Sequence, residues 1–391
     1  DKEIPKIISN LNDSYIYIQG PPGTGKTYQA ANAITELLKQ NKKIAITGLS
    51  HKVIHNLLYR VEEMAAKKQI EFVGYKRGNL EDDDQIFNGE YIQTHSKDPI
   101  FMDALEESNV GQIFAGTKFH LSSRYYDEKI DFLFIDEAGQ VSLADLISIG
   151  NIAKNIVLIG DQNQLGQPIK GTHPNNSGLS ILDYLLEGKD TIPDDRGIFL
   201  NKTYRLHYKI NNFISSNFYE ERLICDERAD KRVIHFNKNS MIKDSGIHFI
   251  EMKHENNIQT SLEEFEVVNK LMKQMMGSDY EDNGKKRKLN VEDFLIISPY
   301  NTQVNLLISK LEEAKIKNPK VGTIDKFQGQ EAPITIISMT SSDSDSLPRN
   351  KEFFFSRNRL NVAISRAQVA SIILFNPLLL DSSPKNLDHI K

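Results

Sequence analysis

The stretch that decides the fold of this chain is Gly20-Pro21-Pro22-Gly23-Thr24-Gly25-Lys26-Thr27. Its spacing, G-x-x-x-x-G-K-T, is typical of a loop whose backbone N–H groups wrap the phosphates of a bound nucleotide. Lys26 can reach the β and γ phosphates as a point charge, and the Thr27 hydroxyl can bind Mg²⁺. The loop therefore predicts a site for a nucleotide and Mg²⁺.

The residues on either side of the loop have the order that this motif requires. The run Ser14–Ile18 predicts a buried strand before the loop. The segment Thr27–Gln40 predicts a helix after it, and that helix would add the positive end of its dipole to the phosphate site. Strand, loop and helix together favour nucleotide binding over a chance match. The apolar residues at helical spacing are Ala30, Ala33, Ile34, Leu37 and Leu38.

Short apolar runs alternate with helical patterns along the chain, which predicts an α/β fold with parallel sheets covered on both faces. We expect two tandem domains, residues 1–192 and 198–391, joined at Ile192–Gly197, with a small insertion at Glu81–Asn109 in the first. Gly277–Asn290 and Ser341–Asn350 are expected to be exposed loops. The candidate strands are Lys43–Thr47, Gln112–Ala115, Phe132–Asp136, Asn155–Gly160, Gly246–Glu251, Phe294–Ser298, Val321–Thr323, Ile334–Met339 and Ser371–Asn376.

Composition excludes some classes of protein. No stretch is long and apolar enough to span a membrane. Cys225 is the only cysteine, which excludes an internal disulfide and favours a cytoplasmic location. The net charge of −5 is not the usual footprint of a nucleic-acid binder, although the distribution of charge matters more than the sum. Because the chain begins at Asp1, we expect a fragment of a longer protein.

Two further strands are followed by polar residues that suit phosphate chemistry. In a parallel sheet the carboxyl ends of the strands face the ligand. Asp136 would hold Mg²⁺, and Glu137 would orient and deprotonate the water that attacks the γ-phosphate. Gln164, beyond the strand that ends at Gly160, is either a γ-phosphate contact or an exposed loop residue.

Hydrolysis also needs cations that neutralise charge on the transferring phosphoryl group. Besides Lys26, two arginines in the second half stand out, Arg205 and Arg366. Bidentate guanidinium groups suit phosphate oxygens, yet a single arginine is more often part of a surface ion pair. The residues alone leave both possibilities open.

Taken together, these segments resemble the motifs of superfamily-1 helicases. The resemblance is strongest to the subgroup that holds the nonsense-mediated-decay RNA helicase and the nuclease-helicase that trims Okazaki-fragment flaps. It covers nearly the whole chain, and the motifs occur in the family's order. The matching segments are Gly20–Thr27, Asp136–Gln140, Gly160–Leu165, Tyr204–Arg205, Pro299–Gln303, Thr323–Glu331 and Arg359–Ala367.

The resemblance implies two RecA-like domains with ATP in the cleft between them. It implies that Gln164 senses the γ-phosphate and that Arg205 and Arg366 act as arginine fingers. It also implies that Tyr204 packs on adenine and that Glu331 contacts the ribose. The loop from Gly20 to Thr27, with Asp136 and Glu137, keeps the functions argued above.

The resemblance further implies that a single nucleic-acid strand, DNA or RNA, crosses both domains and that the motor travels 5′-to-3′. The contacts would be mainly to phosphate and sugar. The candidate residues are Ser50, His51, Thr117, Tyr300 and Thr323, for each of which ordinary loop polarity is an equal alternative.

Some residues depart from the family pattern. A glutamine that normally precedes the phosphate loop and contacts adenine is missing, and Glu3 stands near its place, which puts adenine specificity in doubt. His51 replaces a usual Asn, and His55 a usual Asp. Ser50–Leu58 and Gly171–Gly178 resemble the helicase half of bacterial proteins fused to a RecB-like nuclease. We therefore expect a nuclease domain before Asp1 in the parent chain.

Three functions compete at this stage. The first is an ATPase stimulated by nucleic acid that translocates on DNA and unwinds duplexes. The second is an ATP-gated clamp that binds nucleic acid or a partner with little movement. The third is another phosphate-loop enzyme, such as a kinase, which has no need for the segments Thr323–Glu331 and Arg359–Ala367. The presence of Glu137, Arg205 and Arg366 favours the first.

Overall fold

A computed structural model describes residues 3–107, 109–166, 178–343, 347 and 356–380. The chain divides into two compact units. The first comprises residues 1–21, 25–162 and 166–200, and the second comprises 22–24, 163–165 and 201–391. The short segments Pro22–Thr24 and Asn163–Leu165 are thus grouped with the second unit.

The first unit is built on an eight-stranded parallel sheet, with the order β4-β3-β5-β2-β6-β7-β1-β8. Its central strands are buried on both faces, as expected for a parallel sheet covered by helices. The strands are β1 Tyr15–Gln19, β2 Lys43–Thr47, β3 Phe72–Arg77, β4 Ile92–His95, β5 Gly111–Ala115, β6 Ile130–Ile135, β7 Ala153–Gly160 and β8 Gly197–Phe199.

Helices cover both faces of this sheet and bury two apolar clusters, one on each face. One cluster includes Ile34 and Leu57, and the other includes Phe101 and Leu182, all fully buried. The carboxyl ends of the strands are left for polar loops. The helices are α1 Ile4–Ser9, α2 Lys26–Leu38, α3 His51–Lys68, α4 Asp98–Glu106, α5 Lys118–Leu121, α6 Leu143–Ile149 and α7 Ile181–Leu186.

The second unit has a five-stranded parallel sheet with the order β12-β18-β17-β15-β16, a three-stranded sheet with the order β11-β13-β14, and the two-stranded sheet β10-β9. The strands are β9 Lys202–Thr203, β10 Ile224–Cys225, β11 Val233–His235, β12 Gly246–Glu251, β13 Asp279–Asp282, β14 Lys285–Lys288, β15 Phe294–Ile297, β16 Val321–Gly322, β17 Ala332–Ser338 and β18 Ala367–Phe375. The helices are α8 Tyr208–Phe218, α9 Glu227–Asp230, α10 Leu262–Met275, α11 Asn301–Glu313 and α12 Arg357–Ile364.

The predicted α/β class, with parallel sheets in two tandem units, is confirmed. Two details differ from the expectation. Glu81–Asn109 is not set apart from the sheet, because β4 pairs with β3 and α4 buries Phe101 and Leu105. Gly277–Asn290 is an antiparallel hairpin rather than a loop, since Asn283 and Gly284 both take the positive φ angles of a tight turn.

The boundary between the units also differs from the expected hinge. Gly197–Phe199 pairs with β1, so the segment Ile192–Gly197 belongs to the first unit, which extends to Leu200. Ser341–Asn350 lies partly outside the described residues, as does most of Gly171–Gly178. Among the described helices, none has the length and apolar character needed to cross a bilayer.

Candidate functional site

The phosphate loop follows β1, a central strand of the first sheet. The Gly20 N–H donates to the carbonyl of Gly160 at 2.9 Å, which fixes the start of the loop against the end of β7. Lys26 is the first residue of α2, and its Nζ donates to the carbonyl of Gly20 at 2.5 Å. The ammonium therefore folds back over the loop that it is predicted to serve.

Two glycines shape the loop through positive φ angles, 74° at Gly23 and 82° at Gly25. A Cβ on Gly23 would lie 2.3 Å from the Cβ of Arg205, a residue of the same unit as Gly23. In that unit the Tyr204 N–H also donates to the carbonyl of Gly23 at 2.8 Å. A side chain at Gly23 would therefore be strained and would clash.

The acidic pair follows β6. Asp136 is 6% exposed, and its Oδ1 accepts a hydrogen bond from the Glu137 N–H at 2.9 Å. Burial, and then the charge of Glu137, raise the pKa of Asp136, while Lys26 opposes the shift. Glu137 is half-buried and has a φ of 53°, an uncommon backbone conformation for a residue other than glycine. The sheet thus brings Lys26, Asp136 and Glu137 to one end.

These residues suit a bound nucleotide and Mg²⁺. Mg²⁺ prefers hard oxygen ligands and is commonly held by one or two carboxylates together with substrate phosphates. The buried Asp136 carboxylate and the Thr27 hydroxyl are donors of that kind. No group of three or more His, Cys, Asp or Glu side chains poised to hold a metal occurs among the described residues.

The loop after β7 carries the predicted γ-phosphate sensor. Asp161 is 3% exposed and Gln164 is half-buried. Between them, Asn163 belongs to the second unit, where its amide donates to the Phe218 carbonyl at 2.6 Å. In the same unit the Asn361 amide donates to the Asn163 carbonyl at 2.7 Å. Gln164 therefore stands in a loop that is anchored one residue before it.

Arg205 and Glu331 lie together in the second unit. The Nε of Arg205 donates to Glu331 Oε2, and its Nη1 donates to the Ser365 carbonyl at 3.3 Å. Glu331 Oε1 accepts from Gln368 Nε2 at 2.8 Å. Burial alone would raise the pKa of Glu331, but Arg205 and Gln368 outweigh it and lower that pKa. The Arg205 side chain is 12% exposed.

Arg366 is held in the same unit and is more buried. It is 2% exposed, and its Nη1 donates to the carbonyl of Gln330 at 3.1 Å. Arg205 thus donates to the carbonyl of Ser365, the residue before Arg366. Arg366 donates to the carbonyl of Gln330, the residue before Glu331. Both predicted arginine fingers are anchored to the two segments that resemble the last helicase motifs.

Tyr204, the predicted adenine contact, is half-buried and faces Arg228, whose guanidinium carbon lies 4.9 Å from the ring centroid. Arg232 holds the backbone nearby, since its Nη1 donates to the carbonyls of Tyr204 at 3.1 Å and Arg205 at 2.8 Å. Sequence reasoning missed Arg228 and Arg232. Their only signal was a pair of arginines 24 and 28 residues after Tyr204.

The nucleic-acid candidates of the first unit lie at the carboxyl ends of neighbouring strands. Ser50 caps α3 after β2 and accepts from the Val53 N–H at 3.4 Å. His51 begins the same helix, and Thr117 precedes α5 after β5. His51 and Thr117 line one cleft of about 370 Å³. Sequence reasoning missed Arg77, the charged residue of that cleft lining, because β3 was not predicted.

The candidates of the second unit follow two adjacent strands. Tyr300 precedes α11 after β15, and its hydroxyl lies 3.4 Å from Ser341 Oγ. Thr323 follows β16, and its carbonyl accepts from the Lys326 N–H at 3.1 Å. Both residues are half-buried. Since β15 and β16 are paired, the two residues lie at the same end of the sheet.

Known proteins resemble the chain along most of its length. A family model described as AAA domain matches residues 179–377, and a second of the same description matches residues 6–174. The DNA replication ATP-dependent helicase/nuclease dna2 of Schizosaccharomyces pombe is 27% identical, with 97% of this chain and 27% of that protein covered. The DNA polymerase alpha-associated DNA helicase A of the same yeast is 26% identical, with 89% and 59% covered.

Among solved structures, the arterivirus nonstructural protein 10 (helicase) with DNA has a TM-score of 0.46 and 14% identity, with 96% of this chain and 63% of that one covered. The chain spans between about a quarter and three-fifths of the length of the two yeast relatives. The match to the first AAA-domain model extends over half of the chain. This chain therefore belongs to the AAA domain family.

Proposed function

We propose that this chain is a motor that hydrolyses ATP in order to translocate 5′-to-3′ on single-stranded nucleic acid, DNA in the first place, and to unwind duplexes. The observation that carries the proposal is the meeting of Lys26, Asp136 and Glu137 at the carboxyl end of one parallel sheet. Relatives with the names of DNA helicases support the choice of DNA.

In this proposal each site residue of the first unit has one function in ATP hydrolysis. Mg²⁺, held by Asp136 and Thr27, would neutralise charge on the phosphates. Lys26 would leave the Gly20 carbonyl and bind the β and γ phosphates, and the glycine loop would supply backbone N–H donors. Glu137 would take the proton of the attacking water. Gln164 would hydrogen-bond the γ-phosphate.

The second unit would supply Arg205 and Arg366 as cations for the developing charge, Tyr204 as the platform for adenine and Glu331 as the ribose contact. Contacts that the arginines make only while the triphosphate is bound would couple hydrolysis to domain movement. Ser50, His51, Thr117, Tyr300 and Thr323 would hold the sugar-phosphate backbone. Domain movement would then advance the protein along the strand.

The likeness of Ser50–Leu58 to bacterial RecB-like nuclease-helicase fusions makes a nuclease domain elsewhere in the parent protein part of the proposal. The dna2 relative carries the name helicase/nuclease. A cytoplasmic location remains a prediction that depends on the single cysteine, Cys225.

Strand separation on tailed duplexes tests the direction. We expect ATP-dependent separation of a duplex with a 5′ single-stranded tail and none with a 3′ tail. Blunt duplex serves as the control, and RNA tails of the same sequence test the choice of DNA. Separation from the 3′ tail alone would overturn the direction. ATP hydrolysis that is stimulated by single strands without movement would favour the clamp.

A further inference from the structure

The cleft that contains His51 and Thr117 lies where four neighbouring strands of the first sheet end. His51 follows β2, Arg77 ends β3, Ser96 follows β4 and Thr117 follows β5. These strands are adjacent in the order β4-β3-β5-β2, so their carboxyl ends form one continuous edge. Together with Asn79 and Gln85, these residues give the cleft a cationic and polar lining, and no carboxylate belongs to that described lining.

A buried lysine stands behind the cleft. Lys76 of β3 has 0% exposure, and its Nζ lies 3.0 Å from His51 Nδ1 and donates to the Gln85 carbonyl. No carboxylate lies within ion-pair distance of Lys76 among the described residues. The loop closes tightly here, since a Cβ on Gly78 would lie 3.0 Å from that Nζ. A buried ammonium without an anion is costly unless a ligand brings one.

The lysine determines what His51 offers to the cleft. An ammonium can only donate hydrogen bonds, so His51 Nδ1 must accept and the imidazole must be neutral. Burial, and then the charge of Lys76, lower the pKa of His51, which keeps it neutral at pH 7. The hydrogen of the neutral ring is then on Nε2. His51 therefore offers an N–H donor, although an isolated histidine could have offered an acceptor.

Arg77 adds a full positive charge to the same cleft. Its Nη1 donates to Asp98 at 2.8 Å, its side chain is 31% exposed, and its guanidinium carbon lies 6.0 Å from the Phe101 ring centroid. A guanidinium has five N–H donors in a fork that matches phosphate oxygens, so the single bond to Asp98 leaves donors for a ligand.

We propose that this cleft binds one phosphodiester of the nucleic-acid strand, with Arg77, His51 Nε2 and the Thr117 hydroxyl as donors and the buried Lys76 as positioning residue. The inference rests on the proposed function and deepens it. It adds Arg77 as a strand contact and Lys76 as a positioning residue, and it gives His51 a defined tautomer.

The acidic residues nearby do not occupy the cleft. Asp82 is the carboxylate whose charge acts on Lys76. Its oxygens accept hydrogen bonds from the Asp84 N–H at 3.1 Å and from Gln85 Nε2 at 2.8 Å. Asp83 and Asp84 continue this turn outside the lining. Asp82 therefore holds Gln85 in the wall of the cleft, and the side chains that line the cleft are hydrogen-bond donors or neutral polar groups.

The test measures the affinity of wild-type protein and variants for a labelled oligo-dT strand by fluorescence anisotropy, over a series of salt concentrations. Arg77→Gln should weaken binding about tenfold at low salt, because a hydrogen bond to a charged group is lost. It should also reduce the slope of log affinity against log salt by about 0.7, the value for one phosphate contact on a single strand. His51→Phe should weaken binding about fivefold, whereas His51→Asn, which keeps a donor, should retain most of it.

Lys67→Met is the matched control. Lys67 lies in the last turn of α3, the helix that begins at His51, and Lys67→Met removes one positive charge, as Arg77→Gln does. Its side chain is 70% exposed and pairs with Glu63. The control should bind oligo-dT as wild type does. Equal affinities and salt slopes for Arg77→Gln, His51→Phe and Lys67→Met would overturn the site, provided that wild type binds the strand.

The pH dependence distinguishes positioning by charge from a merely structural function of Lys76. Burial lowers the pKa of Lys76 to about 8, and the charge of Asp82 opposes this shift. The titratable and charged groups near it are His51 and His55 from α3 and Asp82 from the loop after β3. Burial and Lys76 lower the pKa of His55 to about 4 and also lower the pKa of His51, so both histidines stay neutral between pH 7 and 9.

Wild-type affinity for oligo-dT should therefore fall several-fold between pH 7 and pH 9, as the ammonium loses its proton. Lys76→Met should bind more weakly at pH 7 and show a flat profile over that range. The same profile for Lys76→Met and wild type would refute the contribution of Lys76. Failure of wild type to bind or respond to any single strand would instead refute the proposed function, and the cleft site with it.

Discussion

Arg205 and Glu331, which are predicted to serve different parts of the nucleotide, form an ion pair with each other in the second unit. The same arginine donates to the carbonyl of Ser365, one residue before Arg366. One carboxylate therefore sets the direction of a guanidinium group that is proposed to neutralise phosphate charge. The two functions, ribose contact and orientation of Arg205, predict different effects when Glu331 is changed.

Glu331→Gln should lower kcat for ATP hydrolysis about tenfold and change KM less than threefold, because the charge that orients Arg205 is lost while a polar side chain remains. Steady-state kinetics at saturating oligo-dT measures both. Asp279→Asn is the matched control, since Asp279 is an exposed partner of Lys288 in the hairpin, at 2.9 Å. A rise in KM at constant kcat would support ribose contact alone.

Lys26→Ala should reduce the ATPase rate at least about a hundredfold, because the cation that reaches the transferring phosphate is removed. Lys39→Ala, an exposed lysine at the other end of the same helix, should hydrolyse ATP at the wild-type rate. Phosphate release under saturating ATP is the measurement. An unchanged rate in Lys26→Ala would show that the loop does not perform the chemistry.

His120 should make the fold sensitive to mild acid. It is 8% exposed, and its Nε2 lies 2.8 Å from the Tyr126 hydroxyl. Burial, and then Arg77, lower the pKa of His120 to about 4. Because the folded pKa lies below the unfolded value near 6.5, the unfolded chain binds the proton better. The contribution of the neutral, buried His120 to the free energy of unfolding is therefore fully present above pH 6.5 and is lost as the pH falls to about 4.

The expected loss is about 3 kcal/mol in the free energy of unfolding, because the pKa of His120 is about 4 in the folded chain and near 6.5 in the unfolded chain. Urea unfolding of wild type and His120→Gln between pH 7.5 and pH 4.5 measures it. The variant should be less stable at pH 7.5, but its stability should fall less steeply as the pH decreases. Parallel profiles for the two proteins would contradict the assignment to His120.

Glu264 should contribute several kcal/mol to the free energy of unfolding of the second unit. Its side chain has 0% exposure and its carboxylate accepts from the Thr340 N–H at 3.0 Å, from Ser338 Oγ and from His254 Nε2 at 3.3 Å. Thr340 has a φ of 74°, which is strained for a β-branched residue and needs this support.

Glu264→Ala should therefore lower the free energy of unfolding by about 3–5 kcal/mol, as expected when one partner of a buried network is removed. Glu266→Ala, an exposed glutamate two residues further along α10, should stay within about 0.5 kcal/mol of wild type. Urea unfolding monitored by circular dichroism compares the three proteins. A loss below about 1 kcal/mol for Glu264→Ala would show that Thr340 is held by other contacts.

Much of the fold could be predicted because the parallel strands are short apolar runs between helical patterns. The strands Lys43–Thr47 and Gly246–Glu251 have the predicted bounds, and the other predicted strands differ by a few residues. The edge strand β4 escaped prediction because its segment is polar and only Ile92 is deeply buried. Strands β13 and β14 escaped because charged side chains dominate both faces of the hairpin.

Some parts of the candidate site could likewise be predicted from the sequence, and others could not. Lys26, Asp136 and Glu137 could be predicted, since local spacing fixes their place at the ends of β1 and β6. The pairing of Arg205 with Glu331 could not, because it joins residues 126 positions apart in the chain. The contact between Lys76 and His51 likewise depends on strand order, which no local pattern reveals.

In the proposed motor, Glu137 drives ATP hydrolysis in response to a bound single strand. The most direct test is the ATPase rate of wild type and Glu137→Gln with and without oligo-dT, together with the affinity of each for labelled ATP. We predict that the strand stimulates wild type, whereas Glu137→Gln binds ATP with similar affinity but hydrolyses it at least about a hundredfold more slowly in both conditions. Normal hydrolysis by Glu137→Gln, or a wild-type rate that no single strand changes, would contradict the account.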